Sequence, residues 1–168
     1  MNSMVTSSKK GKHFIWIGLI LFLILVIADQ ITKYYVVLHS SKLIREPVTV
    51  IPGFFNIVSV RNTGAAWGMF NGNSLILLIV AIVAFILIII FFRTITEGFG
   101  ERAIALFMIM SGIAGNSIDR IYRGSVVDFL DFHLHGWHWP SFNIADSAIC
   151  VAVVIMIISS LVRATKKK

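Results

Sequence analysis

Four apolar segments constrain most strongly what this chain can fold into. They are Phe14–Tyr35, Leu75–Phe92, Ala103–Ile118 and Ile144–Val162. A helix of roughly 18 or more apolar residues is long enough to cross a bilayer. The charged fraction of 14% lies well below the roughly 25% typical of soluble domains. The sequence therefore predicts one integral-membrane domain over residues 1–168, an all-α membrane protein built as a four-transmembrane-helix bundle.

Basic residues indicate how these helices are oriented. The segment Phe14–Ala28 follows a lysine cluster, as in a secretory signal, but no small-residue cleavage pattern comes after it, so we expect a retained first span. Basic residues on the side of the termini outnumber those on the other side, which predicts that both termini are cytoplasmic. The first group is Lys9, Lys10, Lys12, Arg93, Arg102, Arg163 and Lys166–Lys168, and the second is Lys33, Lys42, Arg45, Arg61, Arg120 and Arg123.

The net charge of +7 does not indicate a nucleic-acid partner. The lysines concentrate at the two ends of the chain, and no basic groove or nucleic-acid-reading module is apparent. Cys150 is the single cysteine, so an internal disulfide is excluded. We interpret it as a small buried or lipid-facing residue.

The long connection after the first span has the pattern of β-structure. Pro47–Gly53 and Phe54–Val60 are rich in β-forming residues and are bounded by proline and glycine. We expect a small extracytoplasmic β-sheet over approximately residues 38–73, packed against the bundle. The segment Thr94–Arg102, between the second and third spans, is predicted to be a short cytoplasmic turn.

Acidic residues gather in the stretch Ser111–Asp146. Four of the eight acidic residues lie there, namely Asp119, Asp128, Asp131 and Asp146. The end of the first span, the end of the third and the start of the fourth should lie on one side of the membrane. Carboxylates are costly to place at a membrane, and they mark candidate functional sites.

Two of the polar groups have spacings that favour structural roles. Asp29 and Lys33 have the i, i+4 spacing of a helical ion pair, which would close the outer end of the first span. Asn116, Asp119 and Arg120 lie together at the end of the third span, where we expect Asp119 and Arg120 to brace each other.

Asp128 and Asp146 form the more promising pair of carboxylates. Asn143 and Asp146 open the fourth span with the pattern of a capping box, which keeps Asp146 in the first turn of a helix. In an extended strand Asp128 and Asp131 face opposite ways. Two carboxylates in one site share a proton, so that one activates water while the other polarises a carbonyl, as in aspartic proteases. Loop structure and a proton relay are the alternatives for these acids.

A cluster of histidines near the fourth span raises the possibility of a metal site. His133, His135 and His138 lie in one short stretch with Trp137 and Trp139. Zinc requires further ligands and supporting hydrogen bonds, whereas an aromatic belt at the membrane interface accounts for the same residues. We therefore expect no metal and no cofactor.

Five ordered blocks resemble the lipoprotein signal peptidase (signal peptidase II) family. They are Asp29-x-x-Thr32-Lys33, Arg61-Asn62-x-Gly64-Ala65-Ala66, Gly115-Asn116-x-x-Asp119-Arg120, Val126-Val127-Asp128-Phe129 and Phe142-Asn143-x-Ala145-Asp146. The resemblance implies a four-span membrane aspartyl endopeptidase, active on the extracytoplasmic face of the bacterial cell membrane. Such enzymes cleave prolipoproteins before a diacylglyceryl-modified cysteine.

The resemblance also assigns roles to residues. The catalytic dyad is carried over to Asp128 and Asp146, and a structural role to Asp29 and Lys33. Residues expected to bind substrate or support the site are Asn62, Gly64, Asn116, Asp119, Arg120 and Asn143. Membrane lipid and the cyclic peptide inhibitor globomycin are expected partners. The His/Trp segment is expected to act as a loop or short helix over the site.

The residues alone leave one rival function, a proton- or ion-coupled small membrane transporter. A relay through the bilayer would place acids at several membrane depths. Here the acids gather on one side, which favours the peptidase.

Overall fold

The computed structural model describes the backbone of residues 2–64 and 72–166 and the side chains of residues 13–64 and 72–165. In this part of the chain, helices dominate and a small sheet lies at one end. The helices are α1 (Asn2–Leu38), α2 (Ser40–Arg45), α3 (Ser74–Ile90), α4 (Phe92–Thr96), α5 (Gly100–Arg123) and α6 (Ile144–Lys166). The strands are β1 (Val48–Ile51), β2 (Phe55–Asn62), β3 (Val126–Leu134) and β4 (Trp137–His138).

Three of the described helices are long and apolar enough to cross a membrane. They are His13–Leu38 within α1, the whole of α5, and Ile144–Thr165 within α6. Three of the four predicted spans are thus confirmed as helices of spanning length and composition.

The predicted second span, Leu75–Phe92, is not confirmed as a helix of spanning length. α3 is apolar, but it has 17 residues and ends at Ile90, while Phe92 begins α4. Phe91 leaves helical geometry between them, with φ −93° and ψ 9°. A helix of 17 residues is about 25 Å long, slightly less than the roughly 30 Å of a typical hydrocarbon core.

The predicted turn over Thr94–Arg102 is shorter than expected. α4 ends at Thr96, and α5 already begins at Gly100. Glu97 and Gly98, with φ values of 49° and 79°, make the reversal between them. The third span is correspondingly longer than Ala103–Ile118.

α5 is the central helix and packs against α1, α3 and α6. Glycine allows a close approach of three helices near the sheet. A Cβ atom at Gly115 would lie 2.6 Å from Asp29 Oδ2 and 3.3 Å from the Ala145 Cβ. Because Gly115 has no side chain, the polar end of α1 and the start of α6 both reach the surface of α5.

The sheet is antiparallel, in the order β1-β2-β3-β4. β1 and β2 confirm the predicted sheet within residues 38–73, but β3 and β4 extend it with residues from the far end of the chain. β2 pairs with β3 so that Val60 lies opposite Asp128 and Asn62 lies opposite Val126. Residues 65–71, including Ala65 and Ala66 of the second sequence block, lie outside the described residues.

A small core fixes the sheet to the helices. Val36 of α1, Leu43 of α2, and Val127 and Phe129 of β3 are buried together. Since side chains alternate along a strand, Val127 and Phe129 point away from the face that carries Asp128. The face of β3 that carries Asp128 is therefore not part of this core and can line a cavity.

Candidate active site

A cavity of about 860 Å³ lies where β2, β3, α5 and α6 meet. Both Asp128 and Asp146 line it. The structure therefore brings together the two carboxylates that the sequence pairs, one from a strand and one from the first turn of a helix.

Asp128 is 2% exposed and accepts hydrogen bonds from two amides. Asn62 Nδ2 donates to its Oδ2 at 3.0 Å, and Asn143 Nδ2 donates to its Oδ1 at 2.7 Å. Burial, and next the negative charge of Asp146, raise the pKa of Asp128 to about 6. The two amides and the charge of Lys33 oppose this increase. Asp128 thus exchanges its proton close to neutral pH.

Asp146 is held by Asn116 and by the start of its own helix. Asn116 Nδ2 donates to its Oδ1 at 2.7 Å, and the Asn143 backbone N–H donates to its Oδ2 at 3.2 Å. The Asp146 N–H donates in return to Asn143 Oδ1 at 3.1 Å. The predicted capping box is confirmed. Asn143 therefore contacts both carboxylates, through its side-chain amide and its backbone.

Behind the dyad, Lys33 is fully buried. Its Nζ lies 2.9 Å from Asp29 Oδ2, 3.1 Å from Asp119 Oδ2 and 2.8 Å from Asn116 Oδ1. The predicted Asp29–Lys33 pair is confirmed. Because Lys33 holds the oxygen of the Asn116 amide, the nitrogen of that amide faces Asp146.

Asp29 also helps to place the helix that carries Asp146. Its Oδ1 accepts a hydrogen bond from the Ala145 N–H at 3.0 Å. A carboxylate at the first turn of a helix satisfies an N–H group that has no partner within the helix. The first span is thereby joined to the start of the fourth.

The expected pairing of Asp119 with Arg120 was wrong. Asp119 forms ion pairs with Lys33 and Arg123, and its Oδ2 accepts a hydrogen bond from the Val127 N–H at 3.0 Å. Residues four apart share a helix face, whereas adjacent residues do not. Asp119 thus fixes the connection between α5 and β3, one residue before Asp128.

Arg120 points instead to the cavity, which it lines together with Gly64. Its Nη2 donates to the Gly64 carbonyl at 3.2 Å. The Gly64 N–H donates to Asn62 Oδ1 at 2.9 Å, which turns the amide nitrogen of Asn62 toward Asp128. Gly64 therefore fixes the orientation of a group that contacts the dyad.

Asp131 faces away from Asp128, as the alternation along β3 predicts. It accepts hydrogen bonds from Asn56 Nδ2 at 3.2 Å and from His138 Nδ1 at 2.8 Å. The rings of His133 and His138 are stacked with centroids 4.9 Å apart. Within the described residues, no three His, Cys, Asp or Glu side chains are grouped to hold a metal ion.

Several cavity residues were missed by the sequence reasoning. Trp139, Pro140 and Ser141 form one wall, and Ser147 and Cys150 line the cavity along α6. Cys150 lies four residues after Asp146, and this helical spacing alone would have placed it on the same face. Trp139 belongs to the His/Trp segment that was expected to lie over the site, but no spacing in the sequence assigned it to this wall.

Comparisons with known proteins identify the family of this chain. The model of the signal peptidase (SPase) II family matches residues 21–162. The chain is 38% identical over 157 residues to the lipoprotein signal peptidases of Staphylococcus aureus strains JH9 and Newman, covering 94% of this chain and 95% of each relative.

Two solved structures described as bacterial membrane enzymes are also similar. One, at 2.3 Å resolution, has a TM-score of 0.81 and 36% identity over 90% of this chain and 91% of its own. The other, at 1.9 Å, has a TM-score of 0.74 and 37% identity over 86% and 92%. The family match covers most of the chain, including both carboxylates of the cavity. The chain belongs to the signal peptidase II family.

Proposed function

We propose that this chain is an aspartic endopeptidase that removes the signal peptide from bacterial prolipoproteins by cleaving before a diacylglyceryl-modified cysteine. One observation carries the aspartic mechanism: two carboxylates from different elements line one cavity and are joined by Asn143. Family membership and the names of the relatives support the substrate class.

The two carboxylates supply both proton transfers that peptide hydrolysis needs. The ionised carboxylate takes a proton from water, and the resulting hydroxide attacks the carbonyl carbon of the scissile bond. The protonated carboxyl group donates to the carbonyl oxygen and stabilises the oxyanion. When the C–N bond breaks, the proton taken from water passes to the leaving amine of the modified cysteine.

The surrounding side chains keep this pair in its reactive arrangement. Asn62, Asn116 and Asn143 donate to the carboxylates, and Arg120 places positive charge on the cavity wall. Three further residues support the site without contacting the two carboxylates. Asp29 holds the Ala145 N–H, Lys33 holds the Asn116 side chain, and Asp119 holds the Val127 N–H. Hydrolysis by this route requires neither metal nor cofactor.

The enzyme acts at the extracytoplasmic boundary of the cell membrane, with both termini in the cytoplasm and α3 as the fourth crossing. The excess of basic residues on the side of the termini supports this orientation. A substrate that is itself a membrane helix presents its cleavage point at that boundary, where water is available. Globomycin is expected to inhibit by blocking the dyad.

Purified full-length protein tests the proposal with a diacylglyceryl-modified prolipoprotein as substrate. Asp128→Asn and Asp146→Asn should each reduce kcat by about 10³-fold or more, since each removes a proton-transfer group. Asp131→Asn is the matched control and should retain most of the activity. Full activity in either dyad variant would contradict the assignment. Loss of wild-type activity with a chelator, restored by zinc, would instead support a metal mechanism.

A further inference from the structure

A second cavity of about 340 Å³ lies on the outer part of β3 and on β4. We call it the aromatic groove. Its lining is formed by Phe54, Phe132, Leu134, Trp137, Trp139 and Phe142, with the His133 ring beside them. Among the residues that the structure describes, no Asp, Glu, Lys or Arg side chain lines it. Such a lining favours an apolar ligand.

The floor of the groove is an ordered stack of rings. Phe132 stacks on Phe55 at 4.5 Å and on Phe142 at 5.7 Å between centroids, with interplanar angles of 17° and 15°. Phe54 packs edge-on against Phe132 at 5.4 Å. These contacts hold the floor in place, whereas Leu134 and Trp137 at the rim are more than half exposed.

The groove lies next to the catalytic cavity. Trp139 and Phe142 line both of them. Phe132 and Leu134 lie on the same face of β3 as Asp128, because side chains alternate along a strand. Asp128 and Phe132 are four residues apart, which corresponds to about 13 Å along the strand. A ligand held at the dyad can therefore extend into the groove.

We infer that the aromatic groove binds one acyl chain of the diacylglyceryl group of the substrate. This inference rests on the proposed function, in which the lipid is attached to the residue next to the scissile bond. A peptide segment in the same groove would leave backbone N–H and C=O groups without partners. The acyl chain has no such groups, and its attachment point lies beside the dyad.

The groove contributes orientation more than affinity. An acyl chain is already in an apolar environment in the bilayer, so transfer to the groove gains little. Fixing the chain does restrict the thioether and the adjacent peptide bond relative to Asp128 and Asp146, and such positioning accelerates a reaction. The enzyme should therefore cleave substrates with long acyl chains faster than those with short chains.

Substrates that differ only in acyl length test this inference. Synthetic prolipoprotein peptides with two 16-carbon or two 4-carbon chains are cleaved by full-length enzyme in mixed micelles. The wild type should prefer the long-chain substrate by about tenfold or more in kcat/KM. The double variant Leu134→Gln, Trp137→Gln should lower kcat about tenfold for the long-chain substrate only, with little change in KM, because the groove acts by orientation.

The double variant Ile121→Gln, Tyr122→Gln is the matched control. Ile121 and Tyr122 are 60% and 81% exposed at the end of α5, compared with 55% and 56% for Leu134 and Trp137. The control should keep the wild-type preference. Equal preference in the groove variant and the wild type, or no chain-length preference in the wild type, would overturn the inference. An equal loss for both substrates would indicate bilayer anchoring and would also overturn it.

A photoreactive group at the end of the acyl chain provides a second readout. Labelling should fall within residues 132–142, and labelling confined to α3 or α6 would contradict the groove assignment. If the wild-type enzyme cleaves neither substrate, the proposed function itself fails. That result is distinct from normal cleavage with no dependence on chain length.

Discussion

The carboxyl group of Asp128 changes its protonation close to physiological pH. Burial and the charge of Asp146 raise its pKa to about 6. As the pH rises through this pKa, Asp128 ionises and the proton that it carries is lost. Such displaced pKa values are typical of catalytic acids. Activity should therefore decrease as the pH rises through the pKa of Asp128.

Replacing Asn62 should move this alkaline decrease to higher pH. The Asn62 amide donates to Asp128 and lowers its pKa, because the hydrogen bond stabilises the ionised form. Without it, as in Asn62→Ala, the pKa should rise above about 6, and the proton should persist to a higher pH. The profile of kcat/KM against pH measures this shift, since it reports the free enzyme.

Asn56→Ala is the control for the Asn62 experiment. Asn56 lies on the same strand and also donates to a carboxylate, but that carboxylate is Asp131 on the opposite face of β3. In this variant, the decrease of kcat/KM at high pH should occur at the same pH as in the wild type. A shift of equal size in both variants, or a shift to lower pH in Asn62→Ala, would contradict the role assigned to Asn62.

Single residues were predictable where local spacing determines their contacts. The Asp29–Lys33 pair follows from helical spacing, and the Asn143–Asp146 box from capping chemistry. The prediction paired Asp119 with Arg120, its neighbour in sequence, whereas the arginine that contacts it is Arg123. Its actual partners include Lys33, which lies on another helix and which no local pattern in α5 could reveal.

At the level of elements, the start of α6 performs two tasks with one residue. Asn143 caps the helix through its Oδ1, while its Nδ2 donates to Asp128. An N-cap residue contributes about 1 kcal/mol to helix stability. The helix therefore begins at the residue that joins the two carboxylates.

Two substitutions of Asn143 should separate these tasks. Asn143→Ser retains a capping oxygen but loses the amide, whereas Asn143→Ala loses both. Both variants should lose about 10²-fold or more in kcat, and only the alanine variant should lose about a further 1 kcal/mol of stability. Thermal unfolding in detergent and cleavage rates measure the two effects. Unimpaired cleavage by Asn143→Ser would contradict the positioning role of the amide.

The pairing of β2 with β3 could not be predicted from the sequence. Each strand has a recognisable pattern, but their register shifts between Ile57 and Val60. This irregularity determines that Val60 lies opposite Asp128, close to Asn62. The end of α3 at Ile90 was equally hidden, because the apolar run continues through Phe91 and Phe92 without a breaking residue.

In the whole molecule, polar clusters lie at both ends of the α5–α6 pair. One is the dyad and its supports. At the other end, Arg102 is buried, with its Nε 3.1 Å from Ser159 Oγ and its Nη1 2.9 Å from Glu97 Oε1. Ser159 also donates to Glu101. Between these clusters the contacts are mainly apolar, so the polar ends fix how the two helices align.

The orientation of the whole molecule is tested by thiol labelling. In a Cys150→Ser background, which removes the single cysteine, one new cysteine is introduced as His135→Cys or Thr165→Cys. A membrane-impermeant maleimide should label the first variant in intact spheroplasts and the second only after permeabilisation, since the distribution of basic residues predicts that the termini lie inside. The reverse pattern would contradict the proposed orientation.

The position of Asn143 has a consequence for how the enzyme becomes active. Its amide reaches Asp128 on the sheet only when α6 has formed its first turn against α1, where Ala145 meets Asp29. A chain whose last helix has not yet entered the membrane lacks both Asp146 and the group that orients Asp128. Under the proposed mechanism, the protease should therefore stay inactive until α6 has packed against α1 and the sheet.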